Sequence, residues 1–118
     1  MNTLKNKVNL IGRIGSKPVA QIFDSGAKKV RLSVATNERF KDKKGDWVDN
    51  TQWHTVIAWG KLCDRVEKIL DKGTEVVIEG RIVNRNYETK DGDKRMVTEI
   101  ELCEFVVLSS RRQETAKA

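Results

Sequence analysis

Residues 51–73 read TQWHTVIAWGKLCDRVEKILDKG, and the hydrophobic period changes inside them. TQWHTVIAWG alternates with the period of a β-strand. In KLCDRVEKILDKG, Leu62, Val66, Ile69 and Leu70 recur at i, i+4, i+7 and i+8, one face of a short helix. Gly73 stands where a left-handed residue is expected after a helix, with Lys72 near the negative end of the helix dipole. The strand carries Trp53 and Trp59 on one face, with Thr55 and Ile57 between them. That face is either packed into the core or displayed to a flat ligand. It is more apolar than the face of His54, Val56 and Ala58, so period alone favours burial.

Elsewhere the period is two. In KVNLIGRIG, Val8, Leu10, Gly12 and Ile14 alternate with Lys7, Asn9, Ile11 and Arg13. In KVRLSVATN, Val30, Leu32, Val34 and Thr36 share one face. TEVVIEGRIVNRNY places Val76, Ile78, Gly80 and Ile82 on one side and Val77, Glu79, Arg81, Val83, Arg85 and Tyr87 on the other. RMVTEIELCEFVVL turns Met96, Thr98, Ile100 and Leu102 inward, with Glu99 and Glu101 outward. SGAKK (25–29) and KDGDK (90–94) read as hairpin turns, and Pro18 marks a break after the first strand. ERFKDKKGDWVDN (38–50) reads as a longer charged loop holding Phe40 and Trp47.

Three strands, a helix and two strands, paired antiparallel, describe an all-β fold with one short helix between strands 3 and 4. That is the order of the five-stranded Greek-key barrel called the OB-fold. Gly12 and Gly80 fall mid-strand, where such barrels bend or bring backbones close. Residues 1–109 form the expected domain, and 110–118 a short, polar, flexible extension.

The chain has 118 residues and a formal net charge of +6. The charge is uneven: residues 1–60 hold 11 Lys/Arg against 5 Asp/Glu, whereas 61–118 hold 12 against 12. A basic half beside a neutral one suits a polyanionic partner. Cys63 and Cys103 lack metal-ligand spacing and His54 is the lone histidine, so free thiols and no metal are expected. No export signal and no apolar run of the ~20 residues a membrane span needs are present, so the expected location is cytosolic. With no nucleophile motif, P-loop or paired carboxylates in an apolar setting, the expected protein is not an enzyme and needs no cofactor.

The positive signal is aromatic residues interleaved with base. Phe40, Trp53, Trp59 and Tyr87 are the candidate rings, among Arg39, Lys41, Lys43, Lys44, Lys61 and Arg85. Stacking a base on such a ring is worth ~1–3 kcal/mol whatever its identity, and a duplex hides its base faces, so the pattern favours single strands. Tyr87 and Phe40 sit among charged neighbours, unlike core residues. Trp47 reads equally as a loop anchor and is not assigned to binding.

The sequence resembles the bacterial single-stranded DNA-binding protein family from about Asn6 to Leu108. NKVNLIGRIGSKPV and VRLSVATNERF look like its first two strands. TQWHTVIAWGKL is similar to its T-E-W-H-x-V-x-x-[FW]-G-K-L signature, and KGTEVVIEGRI to its K-G-x-x-V-x-[IV]-E-G-x-[IL]. The resemblance implies sequence-independent binding and protection of single-stranded DNA in replication, recombination and repair, in the cytoplasm at the nucleoid. It places base stacking on Phe40, Trp53, Trp59 and Tyr87, and backbone contacts on Lys61, Lys72 and Arg85; Lys43, among the cations beside the rings, is the fourth expected backbone contact. It also places His54 near a subunit interface and implies a homotetramer. Phe40 and Tyr87 stand where well-known members carry tryptophan. The chain ends RRQETAKA instead of in the family's acidic, Phe-terminated tip, so tail-mediated recruitment of replication and repair proteins is not carried over. The rivals are a primosomal or RNA-binding OB domain, and a barrel used as a protein-assembly scaffold.

Overall fold

A computed structural model describes residues 4–109; the expected extension at 110–118 lies outside the described residues. The elements are β1 (Val8–Ile14), β2 (Val19–Ile22), β3 (Lys28–Lys41), β4 (Trp47–Trp59), α1 (Leu62–Ile69), β5 (Glu75–Glu88) and β6 (Lys94–Ser109). β1, β3, β4, β5 and β6 are the five strands read from the sequence. β2 is an additional short strand after Pro18, paired only with β3. The sheet runs β1-β5-β6-β4-β3, and a β1–β3 pairing closes it into a barrel. Closure removes the open edges that a five-stranded sheet would otherwise expose.

One pairing corrects the all-antiparallel expectation. β4 and β6 run parallel, with Val56 beside Ile100 and Ile57 beside Glu101. The helix and β5 intervene between them, so β6 returns in the direction of β4.

The inward faces follow the alternation of the sequence. Ile14, Val30, Leu32, Val34, Val56, Ala58, Val76 and Ile78 are buried, and Cys63, Val66 and Leu70 of the helix segment join the same core. The Cys63 thiol donates to the Ala58 carbonyl at 3.2 Å. Burial also pushes its pKa up, which favours the neutral form that packs there. Gly12 and Gly80 allow close backbone approach: a Cβ would run into the Ala35 carbonyl at one and the Glu101 carbonyl at the other. The pairing of β5 with β6 shifts register at Glu79/Gly80.

Several inward expectations fail where strands or helix leave the barrel. Met96, Thr98 and Ile82 have the inward phase but are exposed, and Ile69 of α1 is exposed too. Glu99, read as outward, is only 9% exposed. Gly73 has the expected left-handed φ of 89°. Its role, however, is in a turn in which the Thr74 amide donates to Asp71 O, while the helix ends at an extended Leu70.

The segment 38–50 is a hairpin instead of a long loop. β3 and β4 stay paired, without a break, from Lys29↔Trp59 to Lys41↔Trp47. Asp42 closes the turn: its Oδ1 accepts from the amides of Lys44 and Asp46, both at 2.9 Å. β5 and β6 form a second long ribbon, ending at Glu88↔Lys94. These two ribbons and the barrel wall between them carry the candidate site. Among the described residues no helix is long and apolar enough to cross a membrane.

Candidate nucleic-acid interface

Residues of one parity along β4 face outward from the barrel. Val56 and Ala58 are fully buried inside, whereas Trp53 is 63% and Trp59 45% exposed. The barrel core is therefore complete without either indole. Ile57, between them on the outer face, is nevertheless only 3% exposed. Phe23, Lys29, Trp59, Val83, Arg85, Glu99 and Glu101 line the same depression and cover it. Ile57 is the structural floor of this face, and the two tryptophans are its raised edges.

Each indole has a distinct support. Trp53 lies over Gly15, where a Cβ would overlap its six-membered ring. Trp59 stacks on Phe23, with ring centroids 6.0 Å apart and planes at 22°. Lys29, its cross-strand partner, holds Nζ 5.8 Å from the same ring. Phe23 and Lys29 were not candidates from the sequence. Their contact with Trp59 is tertiary, linking the β2–β3 turn to the end of β4.

Phe40 and Tyr87 are both exposed, on different ribbons. Phe40 is opposite Val48 near the tip of the β3–β4 hairpin. By the parity of the ladder it belongs to the face of His54 and Val56, across the ribbon from Trp53. Tyr87 lines a depression with Asn86, Glu88, Lys94, Arg95 and Met96 near the tip of the β5–β6 hairpin. The four rings thus span the barrel wall and both projecting ribbons.

Of the candidate cations, Lys43 is in the β3–β4 turn and Lys61 immediately precedes α1, two residues after Trp59 in the chain. Lys72 stands in the turn whose next residue, Gly73, donates to the Ile14 carbonyl at 2.8 Å. That bond ties the turn carrying Lys72 to the end of β1. Arg85 is already engaged. Its Nε and Nη2 donate to the two Glu99 oxygens at 3.3 and 3.1 Å, which holds the guanidinium charged and raises its pKa. Lys28 is similarly committed, to Glu67 and then Asp64 on α1, which raise its pKa.

His54 is half-buried and bonds Thr36 Oγ1 at 3.0 Å. It lines a mostly apolar depression with Val8, Leu10, Trp53, Ile82 and Ile100 among others. Among the described residues no group of three or more His, Cys, Asp or Glu could hold a metal ion.

A model of the single-strand binding protein family matches residues 5–108. Single-stranded DNA-binding protein 1 of Chlorobaculum tepidum is 41% identical over 107 residues, which is 90% of this chain and 66% of that protein. The protein of the same name from Xylella fastidiosa is 37% identical over 91% of this chain and 79% of its own length. Against the Chlorobaculum and Neisseria meningitidis relatives, the chain spans 66% and 65% of their lengths. Among solved structures, a Plasmodium falciparum SSB complex with ssDNA superposes with a TM-score of 0.79 at 32% identity, covering 88% of this chain and 95% of that one. The Thermus aquaticus single-stranded DNA binding protein gives 0.77 at 27% identity, over 90% of this chain and 51% of its own.

Proposed function

The chain belongs to the single-strand binding protein family, and on that premise we propose that it binds and protects single-stranded DNA without regard to base sequence. The binding unit is residues 1–109. Bases stack on Trp53, Trp59, Tyr87 and Phe40, while Lys43, Lys61, Lys72 and Arg85 contact the backbone. The protein acts in replication, recombination and repair, in the cytoplasm at the nucleoid, and performs no catalysis.

One observation carries this reading: two tryptophans stand outside a barrel whose core closes without them. A ring exposed on a rigid strand and flanked by cations is a stacking platform at low entropic cost. The Plasmodium neighbour, solved with ssDNA, supports the same ligand. Titration with oligo-dT should quench tryptophan emission, and added salt should weaken binding as counterions are released. Emission that stays constant at saturating oligonucleotide would sink the proposal. Preference for oligo-U over oligo-dT would move the function to RNA.

Self-association as a homotetramer is part of the proposal, and two separate apolar surfaces support it. One is the depression of Val8, Leu10, His54 and Ile82, which Trp53 borders. The other crosses the outer barrel wall through the register partners Ile11, Val77 and Val106, with Ile11 and Val106 exposed. A dimer of dimers needs two distinct isologous patches, one for each kind of contact. Mass in solution tests it, and a monomer at micromolar concentration would count against it.

A further inference from the structure

Trp47 occupies a position that the four-ring description leaves out. It is the first residue of β4, paired with Lys41 in a ladder that runs unbroken to Trp59. Side chains alternate along such a ladder, so Trp47, Trp53 and Trp59 all project from the same face of the β3–β4 ribbon. At ~3.3 Å per residue their six-residue spacings put successive indoles ~20 Å apart, wound gently by the twist of the ribbon. Trp47 is 61% exposed, much like Trp53.

The surroundings of the ring suit a stacked nucleotide. Lys41 Nζ is 5.5 Å from its centroid and Arg39 Cζ 5.3 Å, both reaching from β3 on the same face. Farther along that face, Arg31 stands opposite Ile57 and Lys29 opposite Trp59. Each end of the row thus has cations beside an indole, placed to meet the phosphates flanking a stacked base. Asp49 also lies on this face and pairs with Arg39 at 3.4 Å. The hairpin does not need Trp47 to hold its turn, since Asp42 closes it through its own hydrogen bonds.

Resting on the single-stranded DNA reading above, we infer that Trp47 is a further base-stacking step and that the strand follows the outer face of the ribbon across three tryptophans in line. The track then extends past Trp53 to the hairpin tip.

Two measurements test this. Trp47→Ala, assayed against an oligo-dT long enough to cover the chain, should bind about five- to 150-fold more weakly, the ratio that one stack of ~1–3 kcal/mol gives. Trp47→Phe should restore most of that loss. In a Trp53→Phe/Trp59→Phe chain, whose only indole is Trp47, oligo-dT should quench the emission. Wild-type affinity in Trp47→Ala, or unquenched Trp47 emission while the unmodified chain is quenched, overturns the inference and leaves the four-ring site intact. An unmodified chain that fails to bind oligo-dT overturns both readings.

Discussion

The Trp53 indole fills the space that a side chain on Gly15 would take: a Cβ built there falls 2.9 Å from Trp53 Cη2 and nearer still to Cζ3. Gly15 also donates its amide to the Ser33 carbonyl at 2.9 Å, which fixes the end of β1 under the ring. The missing side chain therefore sets the height and tilt of an exposed platform. Gly15→Ala should leave the barrel folded, because the conformation there is open to any residue, and should force the ring aside. Oligo-dT affinity should fall by up to the ~1–3 kcal/mol of one stack. Trp53→Ala should then add little in the Gly15→Ala background, since both changes remove the same interaction. Full additivity in that double-mutant cycle would show that Gly15 does not act through Trp53.

Trp53 and Ile57 share the outer face of β4 and should respond in opposite ways. Trp53→Ala removes an exposed ring, so thermal stability should hold while affinity drops by ~1–3 kcal/mol. Ile57 is 3% exposed beneath its neighbours, so Ile57→Ala should cost about 2 kcal/mol or more of stability. Paired melting curves and oligo-dT titrations separate the two. Loss of the folded state in Trp53→Ala would return that residue to the core.

The barrel was legible because burial of one face imposes alternation, and Val30, Leu32 and Val34 or Val76 and Ile78 carry that alternation openly. The ribbons were not. Residues 38–41 and 47–50 set Phe40, Trp47 and Val48 singly among charged and polar residues, with neither face buried, so no sustained hydrophobic period marks them. Reading them as a loop hid the even spacing of Trp47, Trp53 and Trp59, a signal present in the sequence. Met96 and Thr98 show a related limit: parity gives the face a side chain takes, but the strand has already left the barrel there, so the face is not covered. The Trp59–Phe23 contact and the Arg85–Glu99 pair had no local sequence signal, because each depends on the register of strand pairing, which the periodicity of a single strand does not give.

Glu104 gives the acid limb of stability a defined contributor. Its Oε1 accepts from the Phe105 amide at 3.0 Å and pairs with Arg65 Nη1 at 2.8 Å, and both lower its pKa below the ordinary 4.5. A carboxylate with a depressed folded pKa stabilises the fold above its unfolded pKa, and that contribution disappears as pH falls through the folded value. Wild type should therefore melt above Glu104→Gln at neutral pH, with the gap narrowing as pH falls below 4.5. A gap that is constant from pH 7 to 3 would mean that the charge of Glu104 plays no part.

Glu99 places a negative charge on the same depression as Trp59 and binds Arg85 through both oxygens. An incoming phosphate must compete with that pair for the guanidinium. Glu99→Gln keeps a side-chain oxygen to position Arg85 but removes the competing charge. The variant should bind oligo-dT more tightly at low salt. Its plot of log K against log salt should also steepen by up to ~0.7, the counterion release expected for one further phosphate contact on a single strand. Titrations across a salt series measure both quantities together. An unchanged slope with weaker binding would mean that Glu99 serves to orient Arg85 toward DNA, and that the pair works as a unit instead of as a brake.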